Sequence, residues 1–263
     1  MVGCGSEKKN MERKNEQKTW KLWHKIILIS AFIAAACGIG CGIYLSDYYH
    51  AEDTAIYALQ PEEGVDVYQW DEDTLVFAPD EAQVGLIFYP GGKVQYEAYA
   101  PLMKSCARKG ILCILVQMPG NLAVFDMNAA DGIQQQFPDI ETWLIGGHSL
   151  GGAMAASYVA EHTQEYAGVV LLAAYSTADI SGADLQVLSV YGSEDGVMNR
   201  EKYESGRDNL PQDCREEIID GGCHAYFGSY GAQDGDGTPT ISNEEQVEYT
   251  AELIEEWLAQ IKQ

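Results

Sequence analysis

Positive charge is nearly missing from most of this chain. Residues 46–263 carry nine Lys or Arg against 37 Asp or Glu. A surface that acidic repels phosphate backbones, so nucleic acid is excluded as a partner class. Histidine is also scarce, with five in 263 residues, and no cysteine pair stands at metal-site spacing from one. Zinc-type centres are therefore not expected, and neither is a cofactor. Internal repeats and low-complexity runs are absent, which excludes solenoids and long disordered stretches. What remains is 46% hydrophobic, an ordinary value for a folded protein, and long enough for one large core. The acidity reads as solubility.

The basic residues are concentrated at the start. Seven Lys or Arg and three Glu lie in residues 1–25. Residues 26–45, "IILISAFIAAACGIGCGIYL", then carry no charge. As a helix they span about 30 Å, the thickness of a bilayer core. The basic flank before them and Asp47 after them leave the N-terminus in the cytoplasm and the rest outside. Trp20 and Trp23 on one side, with Tyr44, Tyr48 and Tyr49 on the other, suit the two interfaces. The expectation is a basic cytoplasmic segment (1–25), a transmembrane signal-anchor (26–45) and an extracytoplasmic domain (46–263) in the cell membrane. A cleaved signal peptide would have a shorter apolar core, and here the run continues past Ala34-Ala35-Ala36. Ala34 to Cys37 faintly resembles a lipoprotein box but lacks its Leu. A buried core helix would not explain the basic prefix. Of the seven cysteines, Cys4 precedes the span and Cys37 and Cys41 lie in it. Cys106, Cys113, Cys214 and Cys223 follow it and are read as free thiols, because Cys113 sits in an apolar run and a strand separates Cys214 from Cys223.

Along the domain, "AIYALQ" (55–60) and "VDVYQW…TLVFAP" alternate as short antiparallel strands do. Continuous apolar runs follow: "VGLIFYP" (84–90), "ILCILVQMP" (111–119), "TWLIGG" (142–147), "AGVVLLAAY" (167–175) and "LQVLSVYG" (185–192). Helical stretches are predicted near 96–109, 124–137, 149–161 and 199–208, and a strand at 215–221. A last helix runs from about 243 to 261. Ser242 and Glu245 form a capping box at its start, and Val247, Ala251, Ile254, Trp257, Leu258 and Ile261 form its buried stripe. Apolar strands alternating with helices predict an α/β fold with a mostly parallel sheet covered on both faces.

Such sheets place their sites at the carboxyl ends of the strands. Gly147-His148-Ser149-Leu150-Gly151 stands there, as G-x-S-x-G between an apolar strand and a helix of small residues. The sharp turn strains the middle residue and leaves no room for a Cβ two positions either side, which makes Ser149 a candidate nucleophile. A serine needs a base. His24 and His50 flank the span, His148 should point away, and His162 ends the helix about 20 Å on. His224, in the glycine-rich loop after the last strand, remains. An orienting carboxylate is offered by Glu194 or Asp195 after "LQVLSVYG", and the chain order Ser…Asp…His accompanies such an elbow. Backbone N–H donors for an oxyanion are expected from Leu150 and from Gly91-Gly92-Lys93, with Gly92 preferred and Lys93 its neighbour. Lys93 is also a candidate for holding a substrate carboxylate. Asp234 and Asp236 in "QDGDG" (233–237) could open a calcium loop, but a bidentate Glu is not evident, and a polar turn is expected instead.

"FYPGG", "GGHSLGG", "YGSEDG" and "GGCHAYFGSYG" in this order resemble the α/β-hydrolase superfamily over roughly residues 55–262. The outline is similar to the small bacterial members that look like dienelactone hydrolase, and "HAYFGSYGAQDGDG" resembles their histidine loop. The resemblance implies the α/β-hydrolase fold and a Ser149–His224–Asp195 triad, with Asp195 preferred over Glu194 because G-x-x-D is the usual form of that loop. Two departures stand out. Pro90-Gly91 replaces the usual His-Gly of the oxyanion loop, and about nine residues join 167–175 to 185–192, too few for a cap. The expected activity is hydrolysis of a small ester-like substrate, or an amide or thioester, through an acyl-enzyme. The alternative is a non-catalytic surface-binding domain on the same scaffold.

Overall fold

The computed structural model describes residues 4–261, in two units divided between Asp47 and Tyr48. Residues 1–3 lie outside the described residues, as do the side chains of Cys4 and of the basic run from Lys8 to Lys21. The first unit is one helix, α1 (Cys4–Ser46). Within it the 24-residue stretch Trp23–Ser46 reaches a mean hydropathy of 2.4 over its most apolar 18-residue window and is long and apolar enough to cross a membrane.

The second unit is built on one eight-stranded sheet: β1 (Val65–Gln69), β2 (Thr74–Pro79), β3 (Val84–Tyr89), β4 (Ile111–Val116), β5 (Thr142–His148), β6 (Gly168–Leu172), β7 (Gln186–Gly192) and β8 (Arg215–Ile219). Their spatial order is β1-β2-β4-β3-β5-β6-β7-β8. β1 and β2 pair antiparallel, β2 runs antiparallel to β4, and every later pair is parallel. The helices are α2 (Asp53–Ala58), α3 (Ala100–Arg108), α4 (Leu150–Glu161), α5 (Arg200–Gly206) and α6 (Asn243–Ile261).

The apolar runs are continuous because both faces of the sheet are covered. Leu86 and Phe88 of β3 enter one core with Leu102 of α3 and Trp257 of α6. Ile87 and Tyr89, one residue out of phase, enter the other with Tyr158 and Val159 of α4. Each such side chain contributes about 1.5–3 kcal/mol relative to exposure. The α6 stripe is buried from Val247 to Leu258. Its capping box is complete: Ser242 N–H donates to the Glu245 carboxylate (2.7 Å) and Glu245 N–H to Ser242 Oγ (3.1 Å).

Two predicted elements differ. Residues 55–60 are not a strand; α2 occupies Asp53–Ala58, and Ala55 and Ala58, three apart, are its buried face. A six-residue stretch is too short for its pattern to distinguish one helical turn from a strand. Residues 124–137 are not a helix but loop with short 3₁₀ turns at Ala123–Phe125 and Gln134–Gln136. Gly132 (φ 79°) breaks any helix there, and the buried Tyr89 hydroxyl pins the loop by donating to Met127 O and accepting from Ala130 N–H, both at 2.9 Å. The connection from Leu172 to Gln186 contains no helix.

Candidate active site

β5 ends on His148 and α4 begins at Leu150, so the whole turn falls on Ser149. Its backbone sits at φ 52°, ψ −119°, a strained conformation for a residue with a side chain. Ser149 N–H donates to Leu172 O of the neighbouring strand at 2.9 Å, which holds the strain in place. The flanking glycines are required by the end of β3. A Cβ on Gly147 would lie 2.5 Å from Tyr89 O, and one on Gly151 would run into the carbonyls of Tyr89 and Pro90.

β7 delivers the carboxylate. Asp195 Oδ1 accepts from Val197 N–H (2.9 Å) and Met198 N–H (2.8 Å), which fixes the side chain. Its Oδ2 meets His224 Nδ1 at 2.9 Å, and both side chains are buried. With Nδ1 donating to a carboxylate, the free lone pair of His224 is on Nε2, which is buried and has no partner. Glu194 is exposed and accepts from its neighbour Ser193 Oγ instead. The histidine loop is held from α6. Gln246, fully buried, accepts from Cys223 N–H (2.9 Å) and donates to Cys223 O (2.8 Å).

The two loops meet through His148. Its ring centroid lies 4.5 Å from that of His224. Its Nδ1 is 2.7 Å from Tyr99 Oη, and Tyr99 Oη accepts from Gly91 N–H at 3.0 Å. The phenol proton therefore goes to His148 Nδ1. Burial, reinforced by His224 beside it, holds His148 well below the ordinary histidine range, so it is neutral. In the turn after β3, Gly91 N–H is committed to Tyr99 and Lys93 N–H to Asn121 O (2.7 Å). Gly92 lies between them, and a Cβ on it would sit 2.9 Å from Leu150 Cδ2.

The sequence profile of the alpha/beta hydrolase family matches residues 85–248, which include Ser149, Asp195 and His224. The chain belongs to the alpha/beta hydrolase family. No curated protein matches it by sequence. Among solved structures, dienelactone hydrolase from Anabaena variabilis aligns with a TM-score of 0.56 at 16% identity, over 75% of this hydrolase and 98% of that chain. Est1E from Butyrivibrio proteoclasticus gives 0.54 at 13%, over 74% and 99%. A soluble variant of the Saccharomyces cerevisiae monoglyceride lipase gives 0.54 at 11%, over 77% and 97%. At these identities the likeness is one of fold.

The hydrolase thus brings Ser149, Asp195 and His224 to one end of its sheet, with Gly92 and Leu150 beside them. Lys93 is half-buried in a left-handed backbone (φ 60°), beside the same turn. The other histidines are engaged elsewhere: His162 Nδ1 pairs with Tyr158 O, His24 Nδ1 with Trp20 O, and His50 packs on Tyr48. Cys106, Cys113, Cys214 and Cys223 are free. Burial, then the nearby charge of Asp236, pushes the Cys223 thiol up to about 12, so it stays protonated. Among the described residues, no group of three or more His, Cys, Asp and Glu can hold a metal. Sequence reasoning missed Tyr99 and Gln246. Tyr99 and Gln246 are polar residues on helical segments otherwise facing the core, and no spacing rule links them to the site.

Proposed function

We propose that this hydrolase is a serine hydrolase that cleaves ester-type bonds, amides or thioesters included, through an acyl-enzyme. Ser149 is the nucleophile, His224 the base and Asp195 its orienting carboxylate. The observation that carries the reading is the His224–Asp195 pair. It leaves Nε2 as a buried acceptor with no other claim on it, on a loop in contact with the residue preceding Ser149. Nε2 takes the Ser149 proton as Oγ attacks the carbonyl carbon. The imidazolium is stabilised by Asp195. The oxyanion accepts from Gly92 and Leu150 N–H. Collapse expels the alcohol with the proton from His224, and water repeats the sequence to free the acid. The neighbours named dienelactone hydrolase and monoglyceride lipase support an ester as substrate.

α1 anchors the hydrolase in the cell membrane through residues 26–45, with the N-terminus cytoplasmic and the catalytic domain outside. The seven Lys and Arg before the span, against none in residues 46–92 after it, support that orientation. With no helix between β6 and β7 to form a lid, the site is open and takes short acyl groups.

The test is labelling of the full chain in detergent by a fluorophosphonate, with hydrolysis of p-nitrophenyl esters from acetate to palmitate. Ser149→Ala and His224→Ala each remove nearly all turnover, with losses that do not add. Asp195→Asn is severe and Glu194→Gln is not. Rates do not rise with chain length, since each methylene left in water forgoes about 0.8 kcal/mol. A wild-type chain that does not label is a binding domain, and a rise toward palmitate refutes the open site.

A further inference from the structure

The "QDGDG" turn is not only polar. Asp236 Oδ1 accepts from the N–H groups of Gly196 (3.1 Å), His224 (3.2 Å) and Gly237 (2.9 Å), and Oδ2 accepts from Ala225 N–H (2.8 Å). Gly196 is the residue after Asp195, and His224 is the proposed base itself. A single carboxylate therefore joins the loop after β7 to the loop after β8.

The surrounding backbone is packed for this contact. A Cβ on Gly196 would lie 2.6 Å from Gly235 O, and one on Gly237 would collide with Glu194 O. The turn at 235–237 and the loop after β7 thus meet main chain to main chain at these glycines. Two carboxylate oxygens offer about four acceptor sites, enough for four donors. An Asn has one acceptor oxygen and would turn its own N–H₂ toward amide hydrogens. Burial opposes ionisation of Asp236, but its four N–H donors outweigh it and hold the carboxyl below its ordinary range.

We propose that Asp236 is a positioning residue for the acid–base pair: it sets the backbones of Asp195 and His224 against each other, so that Nδ1 meets Oδ2 and Nε2 faces Ser149. The proposal deepens the triad reading and rests on it for its catalytic consequence. The His–Asp geometry is a separate observable.

The experiment compares the full-length wild type with Asp236→Asn and Asp234→Asn in detergent micelles. Asp234 is exposed and removes the same charge from the same turn. Two quantities are read. One is the low-field NMR signal of the His224 Nδ1 proton, assigned by its loss in His224→Gln. The other is kcat for p-nitrophenyl acetate per site titrated with a fluorophosphonate, which corrects for any inactive fraction. In Asp236→Asn the signal should shift or vanish, and kcat per site should fall about 10–100-fold, as for a displacement of roughly 1 Å. KM should stay within about threefold, and Asp234→Asn should change neither quantity. An unchanged signal with kcat per site within about threefold overturns the proposal. So does equal damage from Asp234→Asn, which would be a charge effect. An Asp236→Asn chain without a cooperative unfolding transition also overturns it, in favour of a purely structural role. If the wild type neither labels nor turns over, yet its signal depends on Asp236, the clamp stands and the hydrolase mechanism falls.

Discussion

Tyr99→Phe should cost far more than the loss of one oxygen atom. The ring is fully buried, and packs 5.3 Å from Phe88 and 6.4 Å from Tyr230, centroid to centroid. Phenylalanine keeps those contacts. Lost is the hydroxyl that accepts from Gly91 N–H and donates to His148 Nδ1. Both partners are buried, and no water replaces the hydroxyl unless the core opens. Each group left unsatisfied costs about 1–3 kcal/mol, so the variant should lose about 2–4 kcal/mol. For a unit of this size about 1 kcal/mol shifts Tm by roughly 2–4 °C, giving a drop of about 5–15 °C. Activity should fall too, by about tenfold, since Gly91 holds the proposed donor Gly92 and removing one oxyanion donor outright costs about 10²–10³. The assay is thermal denaturation followed by circular dichroism, with a double-mutant cycle through His148→Leu. In that background the hydroxyl has already lost one partner, and the cycle should show coupling of about 1–2 kcal/mol. A Tyr99→Phe chain melting within about 2 °C of wild type, or a cycle that closes with no coupling, would refute the argument.

Glu62 should show its value only above acid pH. The Arg108 guanidinium grips it at 2.6 and 3.0 Å, and with help from Lys104 this holds its carboxyl at about 2 against the opposing effect of burial. A depressed folded-state pKa contributes stability above the ordinary carboxylate range that is lost as pH falls toward 2. The Tm gap between wild type and Glu62→Gln should therefore be flat above about pH 5 and close near pH 2; a gap that persists at pH 2 refutes the pairing. The full chain should partition with membranes, and a chain beginning at Tyr48 should be soluble and active. Beginning after Tyr49 should be worse, because Tyr49 N–H donates to Lys93 O (2.7 Å) and Tyr49 O accepts from Gln95 N–H (2.9 Å). External protease should release the domain from intact cells, and protection until lysis would reverse the orientation.

The strands were legible because burial on both faces writes an uninterrupted apolar run, and the elbow because two backbone collisions demand glycine at fixed distances from Ser149. α6 was legible from its cap and stripe. The short α2 was not, since a stretch of six residues is too short for its pattern to separate one helical turn from a strand. The loop at 124–137 was misread because nothing local reveals that Tyr89 pins it. Asp236 was read as part of a solvated turn. Three of its four partners, Gly196, His224 and Ala225, come from two other stretches of chain, and only the closed fold brings them together. The same holds for Tyr99 and Gln246, whose partners Gly91, His148 and Cys223 lie in a turn, at a strand end and in a loop outside the helical segments that carry them.

Gln246 has a consequence for timing. It is the side chain on α6 that grips both polar groups of the Cys223 peptide, so the loop carrying His224 has no fixed course until α6 has been made and docked. The nucleophile and the glycine turn are translated first. At about 5–20 residues per second, roughly 5–20 s separate the emergence of Ser149 from that of Gln246. Through that interval the growing chain carries the proposed nucleophile with its proposed base not yet placed. On the proposed mechanism, a stalled or prematurely ended product should not hydrolyse esters.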